Sequence, residues 1–275
     1  MTMNSVILKN THALLGRLNL SITLTLLLAS FFSYSQGQVS KSDKKDLHPT
    51  VQIKTTASDE FLLFADYYPG DLRSGGVIIL HDCQSSRSSY RNMARSLANK
   101  GLHTLLVDLR SYGDSISQAY SEEVVKTKAT DIVSYQSEME AIKAYWPADL
   151  LGIHQYLSEK IGKNEGISIV ANGCSVPYAV SLLEKRQLES MVMISPKMTY
   201  SDKDRYKNLI DIPNYFITSA ADQDSFETTQ ELFTWNGDKG SKMQIFKGTA
   251  ASNQLISRKK DLVNDIALWL GYNLR

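Results

Sequence analysis

ISIVANGCSVPYAV, residues 167–180, contains the turn that decides the fold of this chain. Its first five residues, Ile167 to Ala171, form an apolar run of strand length, and a helical pattern begins at Val176. The linker between them is short and contains Gly173, whose missing Cβ lets a strand and a helix approach closely. The stretch therefore predicts a buried strand, a tight turn and the start of a helix.

Strands and helices are predicted to alternate on both sides of this turn. Further strand candidates are GGVIILHD (75–82), HTLLVDL (103–109), LESMVMIS (188–195), NYFITSA (214–220) and KMQIFKG (242–248). Helical patterns occupy 86–100, 148–161, 176–184, 227–235 and the segment around 262–270. Such alternation is typical of a mostly parallel sheet covered by helices on both faces, so we predict an α/β fold with about eight strands.

Two segments depart from this alternation. VQIKTT (51–56) and FLLFADYY (61–68) flank a short polar linker and predict an N-terminal β-hairpin. Residues 116–147 are more polar, with mixed helical signals and no clear strand, and are predicted to be an insertion. We expect a single domain over residues 48–275.

Three motifs occur in the order found in the α/β-hydrolase fold superfamily. His81-Asp82-Cys83 closes a buried strand like that family's HG-type turn, and DLRSYGDS (108–115) resembles its D-x-R-G-x-G-x-S loop. ANGCS (171–175) occupies the elbow that carries the nucleophile. The chain most resembles the small exported, dienelactone-hydrolase-like members, and the matching segments run from residue 81 to residue 252.

This resemblance places Gly173 at the nucleophile position. The elbow needs small residues two positions before and after its tip, which Ala171 and Ser175 provide. A tip at Cys174 would put the branched Val176 at one of these sites and crowd the turn. A glycine has no side chain with which to attack a substrate.

The remaining triad positions are also implied by the resemblance. The family order is nucleophile, acid and histidine, yet none of the five histidines follows the elbow; they are His12, His48, His81, His103 and His154. The base position falls at Ala251 and the acid position at Asp222, with Asp224 as an alternative. The triad is therefore expected to be degenerate.

The only two cysteines, Cys83 and Cys174, fall on the two oxyanion-hole positions that the resemblance implies. Loops that meet at one hole can bring two Cα atoms within the roughly 7 Å that a disulfide needs. We therefore expect a Cys83–Cys174 disulfide across the former oxyanion hole. The alternative is a pair of buried free thiols that pack as small apolar groups.

A second alternative makes Cys174 the nucleophile of an ester hydrolase. The start of a helix would favour its thiolate, but no histidine follows it in the chain. His81 would have to approach from the neighbouring strand, and we instead expect it to hydrogen-bond the backbone. Asp108 and Arg110 are expected to brace their loop through local hydrogen bonds.

Residues 1–35 have the pattern of a signal peptide. Lys9 and Arg17 precede an apolar stretch, Leu18 to Phe32, whose 15 residues fall short of a membrane span of about 20. We expect cleavage of 1–35, a polar tether over 36–47, no membrane span after cleavage, and a periplasmic or secreted location. An uncleaved N-terminal anchor is the alternative.

Charge and motif content narrow the function classes. Thirty basic and 29 acidic residues give no net field that would attract nucleic acid. We find no metal-ligand spacing, phosphate-binding loop or nucleotide motif, so no cofactor or metal is expected. The sequence favours an exported, hydrolase-like protein without hydrolase activity, which binds a small molecule or an envelope protein or has a structural role.

Overall fold

The structure is a computed structural model that describes residues 50–57, 59–248 and 252–274. The predicted signal peptide, the polar tether and the triad position at Ala251 lie outside the described residues. The boundaries of the single domain stay a prediction.

The described strands form one eight-stranded sheet in the order β1-β2-β4-β3-β5-β6-β7-β8. They are β1 (Val51–Thr56), β2 (Leu62–Tyr68), β3 (Gly76–Leu80), β4 (His103–Val107), β5 (Ile167–Asn172), β6 (Met191–Ile194), β7 (Asn214–Ser219) and β8 (Lys242–Phe246). The hairpin β1–β2 is antiparallel, β2 also runs antiparallel to β4, and the other pairs are parallel. The predicted α/β class and N-terminal hairpin are confirmed.

Helices connect the strands from β3 onward. They are α1 (Arg91–Ala98), α2 (Glu122–Lys128), α3 (Ile132–Lys143), α4 (Trp146–Lys160), α5 (Val176–Leu183), α6 (Tyr200–Tyr206), α7 (Gln223–Trp235), α8 (Ser252–Arg258) and α9 (Lys260–Asn273). The predicted helix over 86–100 begins instead as a 3-10 turn, Arg87–Tyr90. Among the described residues, no helix has the length and apolar character needed to cross a membrane.

The sheet separates two hydrophobic cores. Successive strand residues alternate between them: Ile78 and Leu80 pack into the core that contains α4 and α5, while Val77 and Ile79 pack into the core that contains α1, α8 and α9. This alternation follows from the two-residue period of a strand. Because β3, β5, β6 and β7 are parallel neighbours, the loops after them leave the sheet at one edge.

Arg110, in the loop after β4, is a buried cation held between two carboxylates. Its guanidinium donates to the buried Asp149 of α4 at 3.0 and 2.7 Å, and to Asp59 of the hairpin turn at 2.6 and 2.8 Å. The side chain of Arg110 is only 1% exposed. Our expectation of purely local bonding was wrong for Arg110, because both partners are distant in the chain.

Three aromatic rings complete the surroundings of Arg110. Its guanidinium carbon lies 4.3 Å from the ring centre of Phe61, 4.9 Å from that of Tyr120 and 4.5 Å from that of Tyr145. Tyr120 and Tyr145 belong to the predicted insertion, whereas Phe61 precedes β2. The cation thus joins the insertion to the hairpin through cation–π contacts.

Asp108 of the same loop bonds locally to Asp114, as expected, and also to the distant Arg87. One carboxylate oxygen accepts from the backbone N–H of Asp114 at 2.9 Å, and the other accepts from that of Arg87 at 2.8 Å. The Arg87 guanidinium also pairs with Asp108. Asp108 therefore ties this loop to the segment before α1.

Candidate functional site

The elbow has the predicted shape. β5 ends at Asn172, Gly173 has a φ of +53°, and a 3-10 turn over Gly173–Ser175 leads into α5. The turn is closed by two hydrogen bonds: the Ser175 hydroxyl accepts from the Asn172 N–H at 3.0 Å and donates to the Asn172 carbonyl at 2.9 Å. Glycine adopts a positive φ without the strain that a nucleophilic residue bears there.

Neighbouring strands hold the elbow in place. The Asn172 side-chain amide donates to the carbonyl of Leu80, the last residue of β3, at 2.7 Å. On the other side, the Lys197 N–H, in the loop after β6, donates to the Gly173 carbonyl at 3.2 Å. The elbow is therefore anchored to the end of β3 on one side and to the loop after β6 on the other.

Cys83 and Cys174 form a disulfide, with their Cα atoms 5.9 Å apart. The register of the sheet explains why they meet: Leu80 of β3 pairs with Ala171 of β5, and each cysteine follows three residues after its member of that pair. The predicted disulfide is confirmed, and the alternative of two free thiols is wrong. The assignment of these cysteines to a former oxyanion hole stays a prediction.

A cavity of about 370 Å³ lies over the elbow, and we call it the elbow cavity. Its wall includes one residue from each of four strand ends: Cys83 after β3, Gly173 after β5, Ser195 after β6 and Asp222 after β7. No histidine lines this cavity among the described residues. The cavity thus lies where four strand ends meet, and Gly173 at the tip of the turn has no side chain that could act as a nucleophile.

Asp222 has a structural task at this site. It is the N-cap of α7, and its carboxylate accepts from the Ser225 hydroxyl at 3.0 Å and from the Ser225 N–H at 3.4 Å. Such a cap satisfies a backbone N–H that the first helical turn leaves without a partner. Asp222 and Asp224 both line the elbow cavity, while their role as a former triad acid stays a prediction.

His81 is fully occupied by the backbone. Its Nε2 accepts from the Leu109 N–H at 3.0 Å, so Nδ1 carries the proton and donates to the Asp82 carbonyl at 2.7 Å. Burial lowers the pKa of His81, against the opposing effect of the Asp108 and Asp82 charges. A neutral imidazole with both nitrogens bonded cannot serve as a base for Cys174.

This burial predicts a dependence of stability on pH. The pKa of His81 is lowered in the folded state, and burial lowers that of His154 as well, so below about pH 6.5 the unfolded chain binds protons that the folded chain does not. Their contribution to stability is complete above that pH and is lost as the pH falls. We expect the free energy of unfolding in urea to drop between about pH 7 and about pH 5, by up to about 1.4 kcal/mol per pH unit for the buried His81 and by less for His154, whose charge is partly screened by water.

His154, which is only partly buried, provides a matched control for that experiment. His154→Gln removes one of the two histidines whose pKa burial lowers, without touching the bonds of His81. The increase of unfolding free energy with pH should therefore become shallower but remain. Stability that is flat or rises toward pH 5 in the wild-type protein would contradict a neutral, buried His81.

Ser195 is a site residue that sequence reasoning missed. It follows β6 with a φ of +47°, is 1% exposed, and its hydroxyl has no hydrogen-bond partner among the described residues. A positive φ is unusual for a serine, and still more so before a proline. Pro196 directly after a strand was the available signal, but it predicts only that the strand ends.

A second cavity of about 670 Å³ lies under the insertion, and we call it the insertion cavity. It is bounded by α2 and α3, by Tyr112, and by Cys83 and Gln84. The last two residues also line the elbow cavity. The two cavities therefore meet at the loop that carries the disulfide.

Comparison with solved structures gives similar folds at low identity. An esterase from Pyrococcus furiosus matches with a TM-score of 0.63 and 16% identity, over 84% of this chain and 94% of that chain. A dienelactone hydrolase from Anabaena variabilis matches with 0.59 and 14%, over 83% and 99%. A cold-adapted esterase from an Arctic intertidal metagenomic library matches with 0.60 and 11%, over 85% and 97%.

Sequence comparison adds nothing to this: no family model matches the chain, and no curated protein matches it. The likeness is one of architecture, at identities that show the fold alone. The chain has the α/β-hydrolase fold, in the form that it shares with esterases and a dienelactone hydrolase.

Proposed function

We propose that this protein is an exported, non-hydrolytic member of its fold that binds a small molecule over Gly173. The observation that carries the proposal is the pairing of an intact cavity with a glycine at its elbow. The pocket and its supporting hydrogen bonds are present, whereas the side chain that would attack an ester is not.

The base and the substitute nucleophile are missing as well. All five histidines precede the elbow in the chain, and the nearby His81 has both nitrogens bonded to the backbone. The sulfur of Cys174 is bonded to that of Cys83, so the oxidised protein has no thiolate at this position. These features count against the alternative of an ester hydrolase that uses Cys174.

Export is supported by two independent features. The first 35 residues have the pattern of a signal peptide, and disulfides persist in oxidising compartments rather than in the cytosol. A small molecule fits better than a protein partner because the elbow cavity is concave and lined by polar groups from four loops.

We predict that neither the wild-type protein nor Gly173→Ser hydrolyses 4-nitrophenyl acetate faster than the uncatalysed reaction. A serine at the tip remains un-activated because no histidine lines the elbow cavity among the described residues to take its proton. Neither protein should be labelled by a fluorophosphonate, and the wild-type protein should not be labelled by iodoacetamide without reduction. Initial rates and intact-mass spectra measure these outcomes.

A small esterase of the same fold serves as the positive control in both assays, and circular dichroism checks that Gly173→Ser is folded. Labelling of the wild-type protein that maps to one residue in the elbow cavity would overturn the inactive assignment. So would ester turnover that scales with the concentration of the wild-type protein.

A further inference from the structure

We infer that the elbow cavity and the insertion cavity form one binding site for an elongated ligand, cationic at one end and apolar at the other. This inference rests on the proposed binding function and names the class of ligand. Its geometric basis is that Cys83 and Gln84 line both cavities, so one molecule can occupy both by crossing the disulfide loop.

The elbow end is acidic. Asp82, Asp222 and Asp224 line it, and Lys197 is the one basic residue of its described wall. Ionised carboxylates only accept hydrogen bonds, so a ligand group that fits beside them must donate. An ammonium or guanidinium group supplies both the donors and the opposite charge.

The buried hydroxyl of Ser195 favours the same kind of ligand group. It lines the elbow cavity, and its buried hydroxyl has no partner among the described residues. A buried hydroxyl without a partner is unfavourable, so a ligand that reaches it gains a hydrogen bond which the free protein lacks. A protonated amine is a donor that can supply this hydrogen bond.

The insertion end is apolar at its centre and carries charged side chains at its rim. Tyr112, Tyr135 and Met139 supply apolar surface. Four of the five rim charges are matched in pairs, because Lys126 lies 2.8 Å from Glu122 and Lys143 lies 2.9 Å from Glu140. The fifth, Asp131, caps α3 by accepting from the Ser134 N–H at 2.7 Å. A volume of about 670 Å³ is ample for an aryl or acyl group.

The experiment compares three probes with one apolar part and different charges: 4-phenylbutylamine, 4-phenylbutanol and 4-phenylbutyrate. Titration calorimetry on the intact, oxidised protein near neutral pH measures each Kd. We expect the amine to bind at least about tenfold more tightly than the carboxylate, with the alcohol between them. The advantage of the amine should shrink as the salt concentration rises.

Charge variants test the acidic end. The double variant Asp222→Asn and Asp224→Asn should weaken binding of the amine by about tenfold and leave the alcohol unchanged. Asparagine is also a good N-cap, so α7 keeps its first turn. Asp211→Asn, an exposed carboxylate outside the cavity, is the matched control and should change neither Kd.

Two further variants test the hydroxyl and the apolar end. Ser195→Ala should weaken binding of the amine, whereas Thr218→Val should not, since Thr218 has an equally buried, unpartnered hydroxyl but does not line the cavity. Ala129→Trp, which fills the insertion cavity from its edge, should weaken binding of 4-phenylbutylamine and leave butylamine unchanged.

Three outcomes would overturn the ligand class: a carboxylate that binds as tightly as the amine, no binding of any probe up to about 1 mM, or an asparagine double variant with unchanged affinity for the amine. Tight binding of the carboxylate, or an unchanged affinity of the double variant, would still be compatible with the proposed non-hydrolytic binding function. Ester turnover, measured separately, overturns the proposed function whichever probe binds.

Discussion

Replacing Arg110 with alanine is expected to lower the free energy of unfolding by about 3–5 kcal/mol. The buried carboxylate of Asp149 would lose its partner at 2.7 Å and stay in the interior with an uncompensated charge. The stacking of the guanidinium on Phe61, Tyr120 and Tyr145 would be lost as well. Urea unfolding followed by tryptophan fluorescence measures the change.

Arg205→Ala is the matched control. Arg205 pairs with Glu184 at the surface, where both side chains are about one-third exposed, and exposed pairs contribute about 0–1 kcal/mol. If Arg110→Ala costs no more than Arg205→Ala, the cage around Arg110 does not contribute to stability. Because Tyr120 and Tyr145 lie in the insertion, Arg110→Ala should also increase hydrogen exchange in α2 and α3.

Removing the disulfide is the second large change. The double variant Cys83→Ala and Cys174→Ala should lose up to about 4 kcal/mol of unfolding free energy, because the bridge joins residues 91 positions apart and restricts the unfolded chain. The same protein keeps its sheet, since all five residues of β3 are paired with β5 through the backbone. Urea midpoints of oxidised wild-type protein and variant give the difference.

Unfolding in the presence of a reductant separates the effect of the disulfide bond on stability from the effect of the packing of the two sulfur atoms. Dithiothreitol should lower the stability of the wild-type protein toward that of the variant and leave the variant unchanged. A wild-type protein whose midpoint does not move on verified reduction would show that the bridge adds nothing to the free energy of unfolding.

Much of the fold was predictable because its signals are local. Unbroken apolar runs such as residues 76–80 and 103–107 indicate strands buried on both faces, and the described structure has strands there. The elbow was predictable since small residues at fixed spacing are a steric requirement of the turn. By contrast, α6 has no apolar periodicity from which a helix could be predicted. The only local signal for it is a capping box formed by Thr199 and Asp202.

The candidate site was only partly predictable, because its polar contacts join distant segments. At the elbow, the Asn172 side chain is bonded to Leu80, 92 positions away, and no pattern along the chain encodes that distance. The disulfide was predicted through a resemblance that placed both cysteines at one hole. The unpartnered hydroxyl of Ser195 and the insertion cavity depend on tertiary packing, so they became visible only in the structure.

The disulfide also determines what happens when the backbone is cut between the two cysteines. Cys83 precedes the predicted insertion at about 116–147 and Cys174 follows it, so the whole insertion lies inside a closed ring. A protease that cuts the exposed helices α2 or α3 opens this ring without releasing either half. Two severed pieces of backbone remain one molecule, and their separation requires both a cut and the reduction of one sulfur–sulfur bond.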